Sequence, residues 1–254
     1  MKDRVIYTSV VGDIDSLMQP QVLDPRYDYV CFVRKADGLD GGVWQLREIQ
    51  ADIADDRMLS RYPKLHPEEL LPEYAWTLWV DGNISIRSSA FYDRIDELIA
   101  GGVQMAAPRH PLRDCVYDEA YAVVAADKES YCVARRAVRF LQDKEFPRHA
   151  GLFENAILLR RGGDPAVADM DAMWWNCLQT VSGRDQLSLV YCASECGVTI
   201  VPLLPDGMLL RDSSWLSYVY HDRRTNRPWL VKKYYDAKRR LAKGSLRRLI
   251  LRLG

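Results

Sequence analysis

Two short segments far apart in this chain carry residue types that together can handle a divalent ion and a diphosphate. The first is Trp79-Val-Asp81-Gly-Asn83, an apolar run ending in an acid with an amide two positions on. A carboxylate and a carboxamide at that spacing, at the end of a strand, can point hard oxygens at Mg²⁺ or Mn²⁺, directly or through water, and leave positions open for phosphate. Asp-Gly-Asn is equally good turn chemistry, so the pair decides nothing alone. The second segment is His221-Asp-Arg-Arg-Thr-Asn-Arg227-Pro228-Trp229, a histidine with basic residues and a Pro-Trp behind it. Imidazole binds metals and guanidinium grips phosphate, which makes Asp81, Asn83 and His221 the candidate metal ligands.

Such residues need a scaffold that brings loop ends together. Short runs rich in Val, Ile and aromatics read as strands over Val5–Val11, Tyr29–Val33, Trp76–Val80, Val103–Ala107, Asn155–Leu159 and Val198–Pro202. Between them Ser88–Ala100, Lys128–Gln142, Asp169–Thr180 and Asp185–Cys196 read as helices, several with a polar residue placed to cap the start. Alternation of this kind predicts an α/β fold with a largely parallel sheet. In such sheets ligands gather beyond the carboxyl ends of the strands. Tyr7-Thr8 with Gly12-Asp13, then Asp81-Gly-Asn83, then Arg109-His110 all occupy such positions.

The 254 residues, 48% hydrophobic, suffice for one sizeable core. Formal charge is zero, but unevenly spread: residues 231–254 hold nine Lys or Arg against the single Asp236 and so carry +8, leaving −8 on residues 1–230. The division predicts a domain over 1–230 and a basic helical tail over 231–254. Six cysteines without a CxxC pair read as mostly reduced core residues of a cytosolic protein. The first residues enter a strand pattern without a signal-peptide core, and no window approaches the roughly 18 apolar residues of a membrane span. Cytoplasmic localisation is the expectation.

At the C-terminal motif the chain resembles the glycogenin and bacterial galactosyltransferase family, whose His-x-x-Gly-x-x-Lys-Pro-Trp has the spacing of His221 to Trp229, with Arg224 for the glycine and Arg227 for the lysine. The likeness implies metal binding by His221 and a diphosphate contact by Arg227, while the lost glycine alters the loop. A longer resemblance is to a GT-A glycosyltransferase-like family, long catalogued as a domain of unknown function. It has bacterial members and plant members tied to mucilage and pectin galacturonic acid transfer. It rests on Tyr7-Thr8 with Gly12-Asp13; Arg57 through Tyr62-Pro-Lys64-Leu; Leu71-Pro; Trp79-Val-Asp81-Gly-Asn83; His110-Pro-Leu-Arg113 through Tyr117-Asp-Glu119-Ala; Trp174-Trp-Asn176; and Arg184-Asp185-Gln186-Leu-Ser188. Together these imply a GT-A, Rossmann-like nucleotide-sugar fold.

Roles consistent with the likeness can be set out residue by residue. Arg57 and Lys64 sit over a nucleotide diphosphate, or are solvated helix face. Tyr7 and Thr8 line the base and ribose, or Tyr7 is core. His110 and Arg113 hold a sugar carboxylate or hydroxyls and Glu119 bonds further hydroxyls, against a structural Arg113–Glu119 ion pair. Asp185, with Gln186, steadies positive charge at the anomeric carbon, or only caps a helix. Trp174, Trp175 and Asn176 read as packing residues.

The expected activity is metal-dependent transfer, with Mn²⁺ or Mg²⁺, of a sugar from a nucleoside diphosphate donor, UDP-linked, to a glycan or lipid-linked acceptor in surface polysaccharide or glycoconjugate synthesis. Both resemblances imply retention of anomeric configuration. Two rivals are a nucleotidyltransferase, against which the loop after the first strand lacks Arg and Lys, and a catalytically silent glycan-binding protein. The tail places Leu246, Leu249, Ile250 and Leu253 at helical spacing among basic residues. It is read as an amphipathic helix for an anionic membrane surface, giving a peripheral inner-face location, or as a helix packed on the acidic body. Nucleic acid is not an expected partner, since no reading motif accompanies the charge.

Overall fold

Burial on both faces explains the strands. Val5, Ile6, Tyr7 and Thr8 are each no more than 1% exposed, the near-continuous burial of a strand covered on both sides by helices. The computed structural model describes residues 3–12, 17–126 and 128–219. Asp13, His221, Arg227 and the basic tail lie outside the described residues.

In chain order the elements are β1 (Arg4–Val10), β2 (Tyr27–Val33), β3 (Gln45–Glu48), α1 (Asp56–Leu65), α2 (Pro67–Leu70), β4 (Trp76–Val80), β5 (Ile84–Ile86), α3 (Ser89–Ala100), β6 (Met105–Ala107), α4 (Val116–Ala125), α5 (Tyr131–Asp143), β7 (Ile157–Arg161), α6 (Pro165–Thr180), a 3₁₀ turn at Asp185–Leu187, α7 (Leu189–Glu195), β8 (Ile200–Pro202) and β9 (Leu216–Tyr218). The chain divides into two compact units. Within the described residues the first holds 3–109, 154–172 and 193–219, and the second 110–153 and 173–192.

The first unit contains a seven-stranded sheet in the order β3-β2-β1-β4-β7-β6-β8 and a two-stranded β5-β9 ribbon. Within the seven-stranded sheet the pairings are parallel except those of β7, which runs antiparallel to both β4 and β6, and β5 and β9 pair antiparallel. The sheet is therefore mostly parallel, as the α/β alternation predicts. Phe91, Ile95 and Leu98 of α3 bury against Ile6, Leu78 and Leu159 of the sheet in one apolar cluster. Local chemistry starts the helices: the Asp55 carboxylate accepts the Met58 N–H ahead of α1, and the Ser88 hydroxyl accepts that of Ala90 ahead of α3.

A charged pair is embedded in this core. Arg160 is 1% and Asp171 0% exposed, Nε to Oδ2 3.0 Å, and Arg160 Nη1 donates to the Tyr7 hydroxyl at 3.1 Å. Burial pushes the Asp171 carboxyl up to about 7 despite Arg160's opposing pull. Tyr7 is thus held in the core, which corrects its expected place in a base pocket.

The second unit is helical. Ala134, Val138 and Leu141 of α5 are buried, and Tyr191 meets Phe140 and Phe146 edge-on at 5.0 and 5.7 Å. The Ser130 hydroxyl caps α5 on the Val133 N–H, and Arg136 Nε donates to the Val181 carbonyl at 2.7 Å. The helix expected over Asp185–Cys196 is instead the 3₁₀ turn followed by α7. Among the described residues no helix is long and apolar enough to cross a membrane. No disulfide joins the cysteines among the described residues, and Cys31, Cys115, Cys177 and Cys192 are buried.

Candidate active site

The first unit gathers its chemistry at the carboxyl end of β4. Its apolar run stops at Val80, and Ile84 N–H donates to the Asp81 carbonyl at 2.9 Å, so Asp81 to Ile84 is a turn as well as a candidate site. Gly82 lets this turn lie against β1, since a Cβ there would come within 3.2 Å of Val10 Cγ2 and 3.6 Å of Thr8 Oγ1. The Asp81 carboxylate is 39% exposed; its Oδ1 accepts the Trp79 indole N–H at 2.7 Å and stands 3.8 Å from Lys64 Nζ. Lys64 closes α1, with its side chain only 6% exposed and its ammonium 5.5 Å from the Trp79 ring centroid. An indole therefore orients the carboxylate, and a desolvated cation sits beside it.

Other expected residues fall around or away from this group. Thr8 is 1% exposed and its hydroxyl has no hydrogen-bond partner among the described residues. Arg57 lies exposed in the first turn of α1, two helical turns before Lys64. Asn83, expected as a metal ligand, is 6% exposed; its Nδ2 donates to the Val219 carbonyl at 2.9 Å, and its backbone carbonyl accepts the Val219 N–H. It is a clasp between the β4–β5 turn and the end of β9.

Among the described residues no three His, Cys, Asp or Glu side chains cluster as a metal cage. Asp81 nevertheless fits a hard cation of the kind held by one or two carboxylates plus substrate phosphates, because its carboxylate is accessible and aimed by Trp79.

Sequence reasoning passed over Asn155. It is 5% exposed, and neither its amide nitrogen nor its amide oxygen has a hydrogen-bond partner among the described residues. The neighbouring Ala156 carbonyl accepts the Asp81 N–H at 2.8 Å, which puts Asn155 beside the Asp81–Gly82 turn. A buried primary amide left bare is uncommon and calls for a ligand or water. The available signal was the lone amide in an otherwise apolar strand pattern, Asn155-Ala-Ile-Leu-Leu159.

The second unit holds the rest. In the loop after β6 the His110 Nδ1 accepts two backbone N–H groups, from Leu112 at 3.2 Å and Arg113 at 3.0 Å. That assigns the proton of neutral His110 to Nε2, which stands 3.6 Å from Glu119 Oε2. Arg113 Nε donates to the same oxygen at 2.6 Å, and Arg113 Nη2 lies 3.2 Å from His110 Nε2. Arg113 is thus the donor to this carboxylate, with the His110 ring beside it beyond hydrogen-bond distance. The Glu119 side chain is 4% exposed and that of Arg113 28%. The carboxylate of Glu119, expected among the catalytic residues, is thus buried and engaged by Arg113, whose own side chain keeps a solvent-facing part.

Asp185 and Gln186 sit half-buried in the 3₁₀ turn. The Trp174 indole N–H donates to the Asp185 carbonyl at 3.0 Å, Asp185 Oδ1 accepts the Gln186 N–H at 3.0 Å, and Gln186 Nε2 donates to the Phe153 carbonyl at 3.1 Å. Trp174, 0% exposed, is the packing residue expected and also fixes this turn. Helix capping by Asp185 is not what its side chain does: Arg184 holds the cap position, without a side-chain bond.

A mostly parallel sheet with an oriented acid at a strand's carboxyl end defines a GT-A-like glycosyltransferase fold. The apo structure of the bifunctional glycosyltransferase WbbM shares it, with a TM-score of 0.50 and 14% identity over 99% of this chain and 51% of that one. The family model for the TOD1/MUCI70, glycosyltransferase-like domain matches residues 35–200, and the chain belongs to that family. A curated relative, "Probable hexosyltransferase MUCI70" of Arabidopsis thaliana, is 24% identical over 210 residues. The match takes in 72% of this chain and 36% of that protein, so the chain spans about a third of that relative's length. The family match includes Lys64, Asp81, Arg113, Glu119, Asn155, Asp185 and Gln186; Tyr7, Thr8, His221 and Arg227 fall outside it.

Proposed function

We propose that the chain transfers a hexosyl group from a nucleoside diphosphate sugar, UDP-linked, to a glycan acceptor, with a divalent cation and with retention. The observation that carries this reading is Asp81, accessible and aimed by Trp79, with the ammonium of Lys64 at 3.8 Å. Asp81 and His221 would hold such a cation, which when bound would supply charge neutralisation for the departing diphosphate. Lys64 serves the same oxygens: when the diphosphate arrives it exchanges Asp81 for phosphate, so neither charge is left alone in a desolvated place. Arg227 adds a second phosphate contact. In the second unit Arg113, held by Glu119, binds sugar hydroxyls or a carboxylate, while Asp185 and Gln186 steady the charge developing at the anomeric carbon.

Asn155 completes the donor reading. A carboxamide both donates and accepts, the combination that neighbouring sugar hydroxyls require. Asn155→Leu should leave stability unchanged or raise it by about 1 kcal/mol, since a bare buried amide is removed, while turnover falls roughly 10²-fold. A thermal melt and initial rates on the same preparation read both numbers. Normal turnover in the folded variant would remove Asn155 from the site.

Arg113 and Glu119 call for a double-mutant cycle with Arg113→Gln and Glu119→Gln. If the pair serves the sugar, its coupling is visible in kcat/KM; if it serves only the fold, coupling is confined to unfolding free energy. We expect the former, with Arg113→Gln raising KM in the folded enzyme. Normal kinetics in both single variants would reduce the pair to structure.

The reading as a whole is tested by a panel of nucleotide sugars with and without Mn²⁺. A true donor raises the melting temperature through RT ln(1 + [L]/Kd) and is hydrolysed slowly when the metal is present. If no nucleotide sugar does either, glycosyl transfer is the wrong reaction.

A further inference from the structure

Most of the arginines with a described side-chain partner face a carboxylate: Arg26 meets Asp24, Arg34 meets Asp56, Arg94 meets Glu97, and Arg160 meets Asp171. Helix α5 breaks this habit. Arg135, Arg136 and Arg139 occupy one stretch of its outer surface and line a groove of 480 Å³ together with Tyr131, Phe140 and Asp143. None of the three makes an ion pair among the described residues. Arg136 is anchored through Nε on the Val181 carbonyl, and the Nε of Arg135 is buried without a hydrogen-bond partner among the described residues. Arg139 is exposed.

Folding does not account for this grouping. Like charges one turn apart, as at Arg135 and Arg139, weaken a helix, and a shielded guanidinium N–H without an acceptor is unfavourable. Three guanidinium groups against one carboxylate, Asp143 at the C-terminal end of the groove, make a local excess of positive charge. Their planar forks match carboxylates, which accept two parallel N–H bonds. Arg135 and Arg139 are about 6 Å apart along the helix axis, one turn. The partly buried rings of Tyr131 and Phe140 add flat apolar surface of the kind a pyranose ring packs on. A groove of this volume falls in the range that holds small ligands, about 300–1,000 Å³. A lipid surface is the poorer match, because among the described residues none of the exposed large aliphatic side chains (Leu23, Leu39, Val43, Leu112, Leu209 and Val219) belongs to α5.

We propose that the Arg135–Arg136–Arg139 face of α5 binds a carboxylate-bearing oligosaccharide and so selects an acidic glycan as acceptor. The proposal rests on the glycosyl-transfer reading for the word acceptor; the binding itself stands apart from it.

The test uses the full chain, titrated by calorimetry with a glucuronic acid trisaccharide and with a neutral glucose trisaccharide. Wild type should bind the acidic sugar in a salt-sensitive manner and the neutral one far more weakly. Arg135→Gln/Arg139→Gln should lose at least about tenfold in affinity for the acidic sugar, as expected for removal of charged hydrogen bonds, with nucleotide-sugar hydrolysis unchanged. Arg139→Glu, at an exposed position, gives the same reading should the double variant fold poorly. Equal affinity of wild type and variants for the acidic sugar overturns the proposal. So does binding to phosphatidylglycerol vesicles that the variants lose while wild type ignores the trisaccharide, which would make this face a membrane contact. If wild type binds the acidic sugar but no nucleotide sugar, the donor reading fails and the α5 site stands.

Discussion

Asp81→Asn should cut transfer about 10³-fold while the protein still folds, the scale of loss found when a preorganised electrostatic group is removed from a reacting centre. The amide can still accept the Trp79 indole N–H, so the turn is kept and the negative charge alone is lost. That choice matters because Asp81→Ala would also leave the Trp79 indole N–H without its acceptor, mixing a stability loss into the kinetics. His221→Ala should match Asp81→Asn in depth, with the metal requirement weakened in both. Rates measured over a Mn²⁺ titration, beside thermal melts, decide the matter. Activity at wild-type level in either variant, at wild-type metal concentration, would take that residue out of the metal site.

The second large effect concerns stability. Above pH 7, where the Asp171 carboxyl is ionised, Asp171→Ala should destabilise the fold by about 3–5 kcal/mol, because it leaves the Arg160 guanidinium buried without its carboxylate. For a chain of this size that is a fall in melting temperature of roughly 10 °C. Replacing both partners with apolar residues, Arg160→Met with Asp171→Leu, should restore most of it, since neither charge then has to be desolvated. The pair also predicts a pH dependence. The Asp171 carboxyl titrates near 7 when folded, above its unfolded value, so the folded state keeps a proton that the unfolded chain has released. Its stabilising contribution is fully present below the unfolded pKa and is lost as pH rises towards 7. Wild type should therefore lose stability relative to Asp171→Asn between pH 5 and pH 7.5. Identical pH profiles for the two proteins would show that Asp171 is ionised throughout.

What the sequence disclosed followed from the kind of signal each residue leaves. Asp81 was legible because it ends a five-residue apolar run, and the strands of the sheet were legible for the same reason. Strand β3, Gln-Leu-Arg-Glu, carries no such run, and β5 and β9 are three residues each, too short for any periodicity to register. Helix α1 was obscured by Pro63, which sits inside it. Tyr7 was ambiguous in principle: in a strand buried on both faces, alternation does not separate a core ring from a pocket ring, and only its bond to Arg160 does. The Arg113–Glu119 spacing suited a pocket and an ion pair equally, and the structure shows the ion pair, which by itself excludes neither. Asn155 was missed because polar residues were sought after apolar runs. That rule holds for parallel strands, whereas β7 runs the other way, so the residues preceding it reach the end of the sheet where Asp81 lies.

That reversed strand also separates two properties for anyone who would engineer the protein. Asn155 stands just before β7, beside Asp81, and Arg160 stands near its far end, paired in register with Thr77 at the start of β4. A library confined to Arg160, Asp171 and Thr77 can search for hardiness at one end of the strand, while a library at Asn155 probes the proposed donor contact at the other. With few shared neighbours, gains from the two should combine nearly additively.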